Sequence, residues 1–321
     1  MSPLEITLGI VFSSQTVIGV IGNSFLILLF GFIFFTVHKL RPIDTILIQL
    51  AWVNFMMLIL KGVPQTMAAL GLKNFLDDTG CKTVLYLYRV ARALSLNMTC
   101  LLSGFQAIII SPNTSRWIKL KTRIPKYLLP CSIFCWISHM IINICVLVRI
   151  KGIRLSQNTS NVLDYGYCYI SETSTLNASL FAFVVSLPDT ACLVFMVFAS
   201  GYIMLFLKRH HKRSQHIRKS SFSLRASPET KATQSILLLV NTFVGFSLLS
   251  SILVTYMHFK NPTPWLLQSS NFLSACFPIL SPFLLISTDS QVLKYCYALW
   301  GSPHLSPFLV SPEPSKELKP L

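Results

Sequence analysis

Long apolar runs alternate with short polar segments along the chain. Seven runs are long enough to cross a bilayer as α-helices, because about 20 apolar residues span its hydrocarbon core. They cover roughly residues 6–35, 42–69, 81–112, 127–148, 180–207, 228–256 and 266–286. The pattern predicts an all-α membrane protein, a bundle of seven transmembrane helices, and we number the runs as spans one to seven.

Helix start signals support two further boundaries. The tripeptide Ser-Pro-Glu at 227–229 places a capping hydroxyl, an N1 proline and an acid at the start of span six. Thr288 and Gln291 predict a capping box for a short amphipathic helix, residues 289–300, on the membrane surface. The predicted divisions are an extracellular N-terminal segment 1–6, a transmembrane domain 7–287 and a cytoplasmic tail 288–321, disordered beyond the surface helix.

Lysine and arginine are distributed unevenly between the two sides that seven spans define. The segments that follow spans one, three, five and seven hold 18 of them, and the segments on the other side hold 6. Basic residues near spans mark the cytoplasmic side. The count predicts an extracellular N-terminus, a cytoplasmic C-terminus and a first span that acts as an uncleaved signal anchor.

Composition agrees with a lipid environment. Hydrophobic residues make up 53% of the chain and charged residues 12%, far from the balance of a soluble domain. The net charge of +16 would suggest nucleic-acid binding in a soluble protein, but here the basic residues lie between apolar runs, as membrane topology requires. The expected partner is therefore the bilayer and not nucleic acid.

Two of the nine cysteines differ from the rest, most of which lie within apolar spans. Cys81 lies at the outer end of span three, and Cys168 lies in the longest outer loop. Both would face the oxidising side of the membrane, so a disulfide between them is predicted, with two free thiols as the alternative. The bond would hold the loop over the mouth of the bundle.

The outer loop also contains a glycosylation signal. Asn158 begins the sequon Asn-Thr-Ser and is predicted to carry glycan. Asn177 begins a second sequon, but its closeness to the membrane disfavours it. Asn97 and Asn113 also begin sequons, which we interpret as chance matches because they lie inside span three and on the inner side.

Charged residues inside the spans suggest a binding site. Charge within a bilayer is costly, so these side chains should face a polar interior. Arg89 and Arg92 are three residues apart and share one helix face, with Lys61 at a similar depth. The hypothesis is a crevice for a polar or anionic ligand group, lined by Lys61, Tyr86, Arg89, Arg92, Asp189, Tyr256 and Asn271. The alternative is a structural ion pair with snorkelling side chains.

Motifs of catalysis are not found in the sequence. It contains no HExxH, GxSxG, phosphate-loop or dinucleotide fingerprint. His139 stands alone in an apolar span, where a satisfied core histidine is the ordinary interpretation. We therefore expect no enzymatic activity, no cofactor and no metal site. The halved internal repeat of many transporters is also not found.

Several stretches together resemble one known family. They are 61–69 (KGVPQTMAA), 88–92 (YRVAR), 99–112 (TCLLSGFQAIIISP), 115–117 (SRW), 165–168 (YGYC), 225–237 (RASPETKATQSIL) and 276–283 (CFPILSPF). Over about residues 10–297 the chain resembles the vomeronasal type-1 receptors. It lacks the acidic-Arg-aromatic triplet of rhodopsin-like receptors, where Phe105, Gln106 and Ala107 stand instead.

The resemblance implies a G-protein-coupled receptor of the plasma membrane. Its partners would be a small pheromone-like or odorant molecule and a heterotrimeric G protein of the inhibitory type. Residues expected to face the G protein are Arg116, Lys119, Lys121, Lys208, Arg209, Lys212 and Arg213. The same basic residues would also attract anionic lipid.

Two alternative functions fit parts of the sequence. A bitter-taste-type receptor lacks the same rhodopsin-like motifs but also lacks the string at 61–69. A transporter or channel would show substrate flux or current in vesicles without a G protein, whereas a receptor would drive nucleotide exchange.

Overall fold

The computed structural model is a helical bundle. It describes residues 3–37, 41–72, 75–112, 114–151, 162–164, 168–171, 175–218, 228–259, 264–288, 292–293 and 296. Within these ranges the helices are α1 (Pro3–Val37), α2 (Pro42–Met57), a π-helical turn (Leu58–Gly62), α3 (Val63–Ala69), α4 (Asp78–Ile110), α5 (Ser115–Arg149), α6 (Thr175–Arg218), α7 (Pro228–Phe259) and α8 (Pro264–Thr288). The described residues contain seven segments long and apolar enough to cross a membrane, so the predicted seven-helix class is confirmed.

The second span is not one uniform helix. It consists of α2, the π turn and α3, so that spans three to seven correspond to α4 to α8. Pro64 explains the wide turn, because proline has no backbone N–H and its ring displaces the carbonyl four residues earlier. The π turn contains Lys61 and Gly62, and such turns frequently occur at functional sites.

Two helices extend beyond the predicted apolar runs. α5 begins at Ser115 and α6 continues to Arg218, so basic segments expected to be loops are partly helical. Hydropathy marks only the part of a helix that lies in lipid, whereas lysine and arginine are themselves good helix formers. The predicted surface helix 289–300 lies almost entirely outside the described residues, of which Val292, Leu293 and Cys296 are helical.

A small sheet lies between α5 and α6 and adds to the helical fold. Its strands are β1 (Ile150–Lys151), β2 (Val162–Asp164) and β3 (Tyr169–Ser171), and β3 pairs antiparallel with both others. Cys168 immediately precedes β3 and is bonded to Cys81 in the first turns of α4. The sheet is therefore joined to the bundle where α4 begins, and we call this end of the molecule the disulfide end.

Helix α4 is the centre of the bundle. It packs against α2, α5, α6 and α7, while α1 packs against α2, α3 and α8. Leu94, Met98 and Leu102, spaced four residues apart on α4, are completely buried. Large apolar side chains such as Phe134 and Phe198 are exposed on the outer surface, as lipid contact requires.

Buried amides connect α1, α2, α4 and α8. The Asn23 amide donates to the carbonyl of Pro278, 2.8 Å away, which Pro282 leaves without its usual helical donor. The Asn54 amide nitrogen donates to Ser281 Oγ at 2.9 Å, and Ser95 Oγ donates to Asn54 Oδ1 at 2.8 Å. These bonds stabilise the middle of the bundle, where the low dielectric of the buried interior strengthens them.

Glycine allows two close helix contacts in this region. A Cβ on Gly22 would lie 2.9 Å from the Pro282 ring, so glycine is needed where α1 meets α8. A Cβ on Gly62 would overlap the side chain of Thr16 on α1. Since threonine is short and β-branched, it cannot move aside as a long side chain would.

We predict that Gly62→Ala destabilises the protein by about 1–3 kcal/mol through overpacking against α1. The matched control is Gly31→Ala, where a new Cβ meets nothing within 4 Å and the alanine favours helix. The measurement is the thermal midpoint of the purified protein in detergent. Equal midpoints for the two variants would contradict the predicted close contact.

Candidate ligand-binding site

Lys61 lies in a cavity between α1, the π turn, α3, α4 and α8, which we call the Lys61 cavity. Its ammonium donates to Ser274 Oγ at 2.6 Å and to the Tyr88 hydroxyl at 3.3 Å. The same nitrogen lies 5.1 Å from the centroid of the Tyr88 ring, within cation–π range. The lining residues are Phe12, Gln15, Thr16, Met57, Leu58, Lys61, Gly62, Gln65, Tyr88, Asn271, Ser274, Ala275 and Pro278.

A second cavity lies between α4, α5 and α6. It is lined by Arg89, Arg92, Ala93, His139, Ile142, Asn143, Pro188 and Asp189. Arg92, His139 and Arg89 are the charged or titratable neighbours that act on the Asp189 carboxyl. His139 is buried, and its Nε2 lies 2.7 Å from the side-chain amide of Asn97.

The structure divides the predicted crevice into these two cavities. Lys61 and Asn271 line the first, and Arg89, Arg92 and Asp189 line the second. The remaining two predicted residues lie outside both. The Tyr86 hydroxyl donates to the Met140 carbonyl at 2.9 Å and so belongs to the interface of α4 with α5, while the Tyr256 side chain is 48% exposed on α7.

Both cavities are in the half of the bundle near the disulfide. Tyr88 and Arg89 follow Cys81 by about two helical turns, or roughly 11 Å along α4. The two cysteines are fully buried and pack with Leu85, Phe75 and Leu76. Of the predicted glycosylation sites, Asn158 lies outside the described residues and Asn177 lies in the first turn of α6.

Comparison with known proteins agrees with this architecture. The profile of the "Vomeronasal organ pheromone receptor family" matches residues 6–298. The chain belongs to the vomeronasal type-1 receptor family. It is 43% identical over 303 residues to human "Vomeronasal type-1 receptor 1", covering 94% of this chain and 86% of that protein.

Two further relatives show how widely the family resemblance extends. Human "Vomeronasal type-1 receptor 4" is 43% identical over 286 residues, which cover 89% of this chain and 95% of the relative. The zebrafish (Danio rerio) "Olfactory receptor class A-like protein 1" is 34% identical over 288 residues, which cover 88% and 90%. The family is one of chemosensory G-protein-coupled receptors, and the resemblance predicted from the sequence is confirmed.

At the end opposite the disulfide, this vomeronasal receptor joins three helices around Ser111. The Ser111 hydroxyl lies 3.0 Å from the Tyr202 hydroxyl of α6. Lys121 of α5 donates to the Ser111 carbonyl at 2.6 Å. These contacts connect the end of α4, where rhodopsin-like receptors carry their charged triplet, to both neighbouring helices.

Most of the residues expected to face a G protein lie near this end. Arg116 and Lys119 are exposed in the first turns of α5, and Lys208 and Arg209 are exposed on α6. Lys212 and Arg213 also belong to α6. Lys121 differs from this group, because it is half-buried and its ammonium binds the end of α4.

Several cavity residues of this receptor were missed by sequence reasoning. Gln65 follows Lys61 by four residues, and Asn143 follows His139 by four, so each pair shares a helix face. Pairs of polar residues four apart within an apolar span could have indicated that Gln65 and Asn143 face the interior. Gln15 and Tyr88 gave no comparable signal, because helix rotation decides whether such residues face lipid or the interior.

Proposed function

We propose that this protein is a chemosensory receptor that binds a small organic ligand near the disulfide end and activates a heterotrimeric G protein at the other end. The observation that carries the proposal is a polar, lysine-containing cavity inside the bundle of a vomeronasal-type receptor. The lysine is held by neutral hydroxyl groups, which can also serve a ligand.

The proposed orientation puts the disulfide end outside the cell. The uneven distribution of lysine and arginine supports it, because the exposed basic residues Arg116, Lys119, Lys208 and Arg209 lie at the opposite end. A disulfide and a glycosylated Asn158 both require the oxidising, extracellular side. The N-terminus is then extracellular and the tail after α8 cytoplasmic.

The size of the cavities indicates how a ligand acts. Each cavity has a volume of about 20 Å³. That volume holds a water molecule or a small head group, whereas a typical ligand pocket is larger by an order of magnitude. Binding of a whole odorant therefore requires the helices to separate. Because the odorant binds the separated arrangement more tightly, it shifts the population of receptors toward that arrangement.

The end of the bundle opposite the disulfide contains contacts that such a shift between helix arrangements would change. Ser111 is in contact with both Tyr202 on α6 and Lys121 on α5. Movement of α6 relative to α4 breaks the hydroxyl contact and exposes backbone at the end of α4. The basic residues of α5 and α6 then attract the acidic or anionic groups of an inhibitory-type G protein.

Nucleotide exchange is the direct test of this function. The full chain would be reconstituted with an inhibitory-type heterotrimer in bilayers and screened with volatile and steroid-like compounds. Compound-dependent exchange supports the proposal. Substrate flux in vesicles that contain no G protein, together with no exchange for any compound, would contradict it and favour a transporter.

We predict that Arg116→Glu with Lys119→Glu lowers the rate of ligand-dependent exchange about tenfold, since reversed rim charges slow association. Affinity for ligand measured without G protein should stay within about twofold. The control is Lys82→Glu, a charge reversal at the disulfide end, where Lys82 contacts Asp78 at 2.6 Å. An equal loss in both variants would refute a specific role for α5.

A further inference from the structure

We propose that the Lys61 cavity binds the carboxylate head group of an amphipathic ligand, with Lys61 and Gln65 as its two donors. The inference rests on the proposed receptor function and names the ligand class that this cavity takes. It also separates the two cavities, because only the first of them contains a cation without an acidic residue in its described lining.

The charge balance of the cavity favours an anion. None of its described lining residues is aspartate or glutamate, and the acceptors that Lys61 meets are the neutral hydroxyls of Ser274 and Tyr88. An ammonium in a membrane interior is costly unless an opposite charge accompanies it. Two of its three N–H bonds are directed at these hydroxyls, and the third has no acceptor among the described residues, so it is available for a ligand.

Gln65 provides the second donor. Its side chain is only 8% exposed, and its amide nitrogen has no hydrogen-bond partner among the described residues. A buried polar group without a partner costs free energy, which a ligand oxygen would recover. Gln65 lies four residues after Lys61, and both line the cavity. Two donors on one wall match the two oxygens of a carboxylate.

Gln15 on α1 completes the polar lining. Its Oε1 is buried and has no hydrogen-bond partner among the described residues. Rotation of the amide by 180° about its last bond exchanges oxygen and nitrogen and gives the carboxylate a third donor. Without rotation the oxygen accepts from a water or from a hydroxyl group on the ligand.

The remaining walls specify an apolar tail. Phe12, Met57, Leu58, Ala275 and Pro278 line the cavity around the polar groups. The available volume of about 20 Å³ accommodates a head group, so the tail must extend out between the helices. An inorganic anion would meet apolar walls on the sides away from Lys61 and Gln65 and would lose hydration there without compensation.

The second cavity differs from the first because an acidic residue already lies among its cations. Asp189 lies there with Arg89 and Arg92, so the protein supplies a carboxylate of its own. A ligand carboxylate would compete with Asp189 for the same cations. This contrast assigns the head group to the Lys61 cavity.

The test compares hexanoate with hexanamide, which have nearly the same shape but differ in charge. Binding to the purified full-length receptor in nanodiscs is measured by ligand-observed NMR and by the shift in thermal midpoint, without G protein. We expect hexanoate to bind about tenfold or more tightly than hexanamide, as a charged hydrogen bond implies. Decanoate, which partitions into the bilayer, distinguishes a lipid-borne ligand from a water-borne one.

Variants locate the site. Lys61→Met should remove the preference for hexanoate, Lys61→Arg should retain it, and Gln65→Leu should weaken hexanoate binding about three- to tenfold. The control Lys82→Met removes a lysine charge outside both cavities and should change nothing. Each midpoint without ligand is recorded, so that loss of folding is distinguished from loss of binding.

Two groups of results would overturn the assignment. One is equal or undetectable binding of hexanoate and hexanamide by the folded parent. The other is a preference that survives Lys61→Met but disappears in Arg92→Met, which would move the site to the second cavity. Nucleotide exchange is measured separately. If hexanoate binds but no compound drives exchange, only the receptor function is contradicted. If exchange occurs but binding shows no preference for a carboxylate, only the head-group assignment is contradicted.

Discussion

Cys168→Ser should remove most of the receptor from the cell surface. The bond from Cys81 to Cys168 joins positions 87 residues apart, and both residues are fully buried. Loss of a native disulfide typically costs about 2–5 kcal/mol, a large part of the 5–15 kcal/mol that stabilises a typical folded protein. The loop with β3 would also be released from the start of α4. Surface labelling of a tag and the thermal midpoint in detergent both measure the loss.

Two matched variants make this result specific. Cys81→Ser should have the same effect, and the double variant should be no worse than either single variant, because both remove one bond. Cys131→Ser changes an exposed cysteine of α5 and should behave as the parent. If the double variant kept the parental midpoint, the bond would contribute nothing to stability.

Asn54→Leu should destabilise the bundle by about 2–4 kcal/mol. Asn54 receives a hydrogen bond from Ser95 and donates one to Ser281, so leucine leaves two buried hydroxyls without these partners. Each buried group that loses its partner costs about 1–3 kcal/mol. The thermal midpoint and the fraction of monodisperse protein after solubilisation measure the effect.

The reciprocal variants distinguish hydrogen bonding from packing. In the triple variant Asn54→Leu, Ser95→Ala, Ser281→Ala, the hydroxyls are also absent, so part of the stability should return. Asn241→Leu, at an exposed position of α7, is the control for replacing an asparagine in a membrane helix. A triple variant less stable than Asn54→Leu would mean that packing, and not the unpaired hydroxyls, decides the result.

The spans were predictable because lipid demands long apolar helices, and hydropathy detects them whichever way they are rotated. Rotation was not predictable in the same way. On α1 the exposed Leu28 and Phe35 are as apolar as the buried Leu26 and Leu29, since lipid and core select the same residue types. The three short strands were also missed, because pairing in β1–β3 involves only two or three residues at a time.

The unpredictable rotation of the helices also explains why the predicted crevice is two cavities in the structure. Lys61, Arg89 and Asp189 were identifiable because charge inside a span must face something polar. Whether they face the same polar space depends on how the helices are rotated and packed, and in the structure Lys61 lines one cavity while Arg89 and Asp189 line another. Tyr86 and Tyr256 can face lipid, a neighbouring helix or a cavity at similar cost, so composition could not assign them.

The π turn at Leu58–Gly62 gives the second span an unusual tolerance to change in length. A π turn accommodates one residue more than an α-helical turn, so loss of a single residue there leaves Pro64 to Ala69 facing as before, with a kink where Pro64 enters the helix. The same deletion within α4 would rotate every later side chain by about 100°. In this receptor, then, the segment that holds the cavity lysine is also a position where the chain can shorten by one residue without losing the bundle.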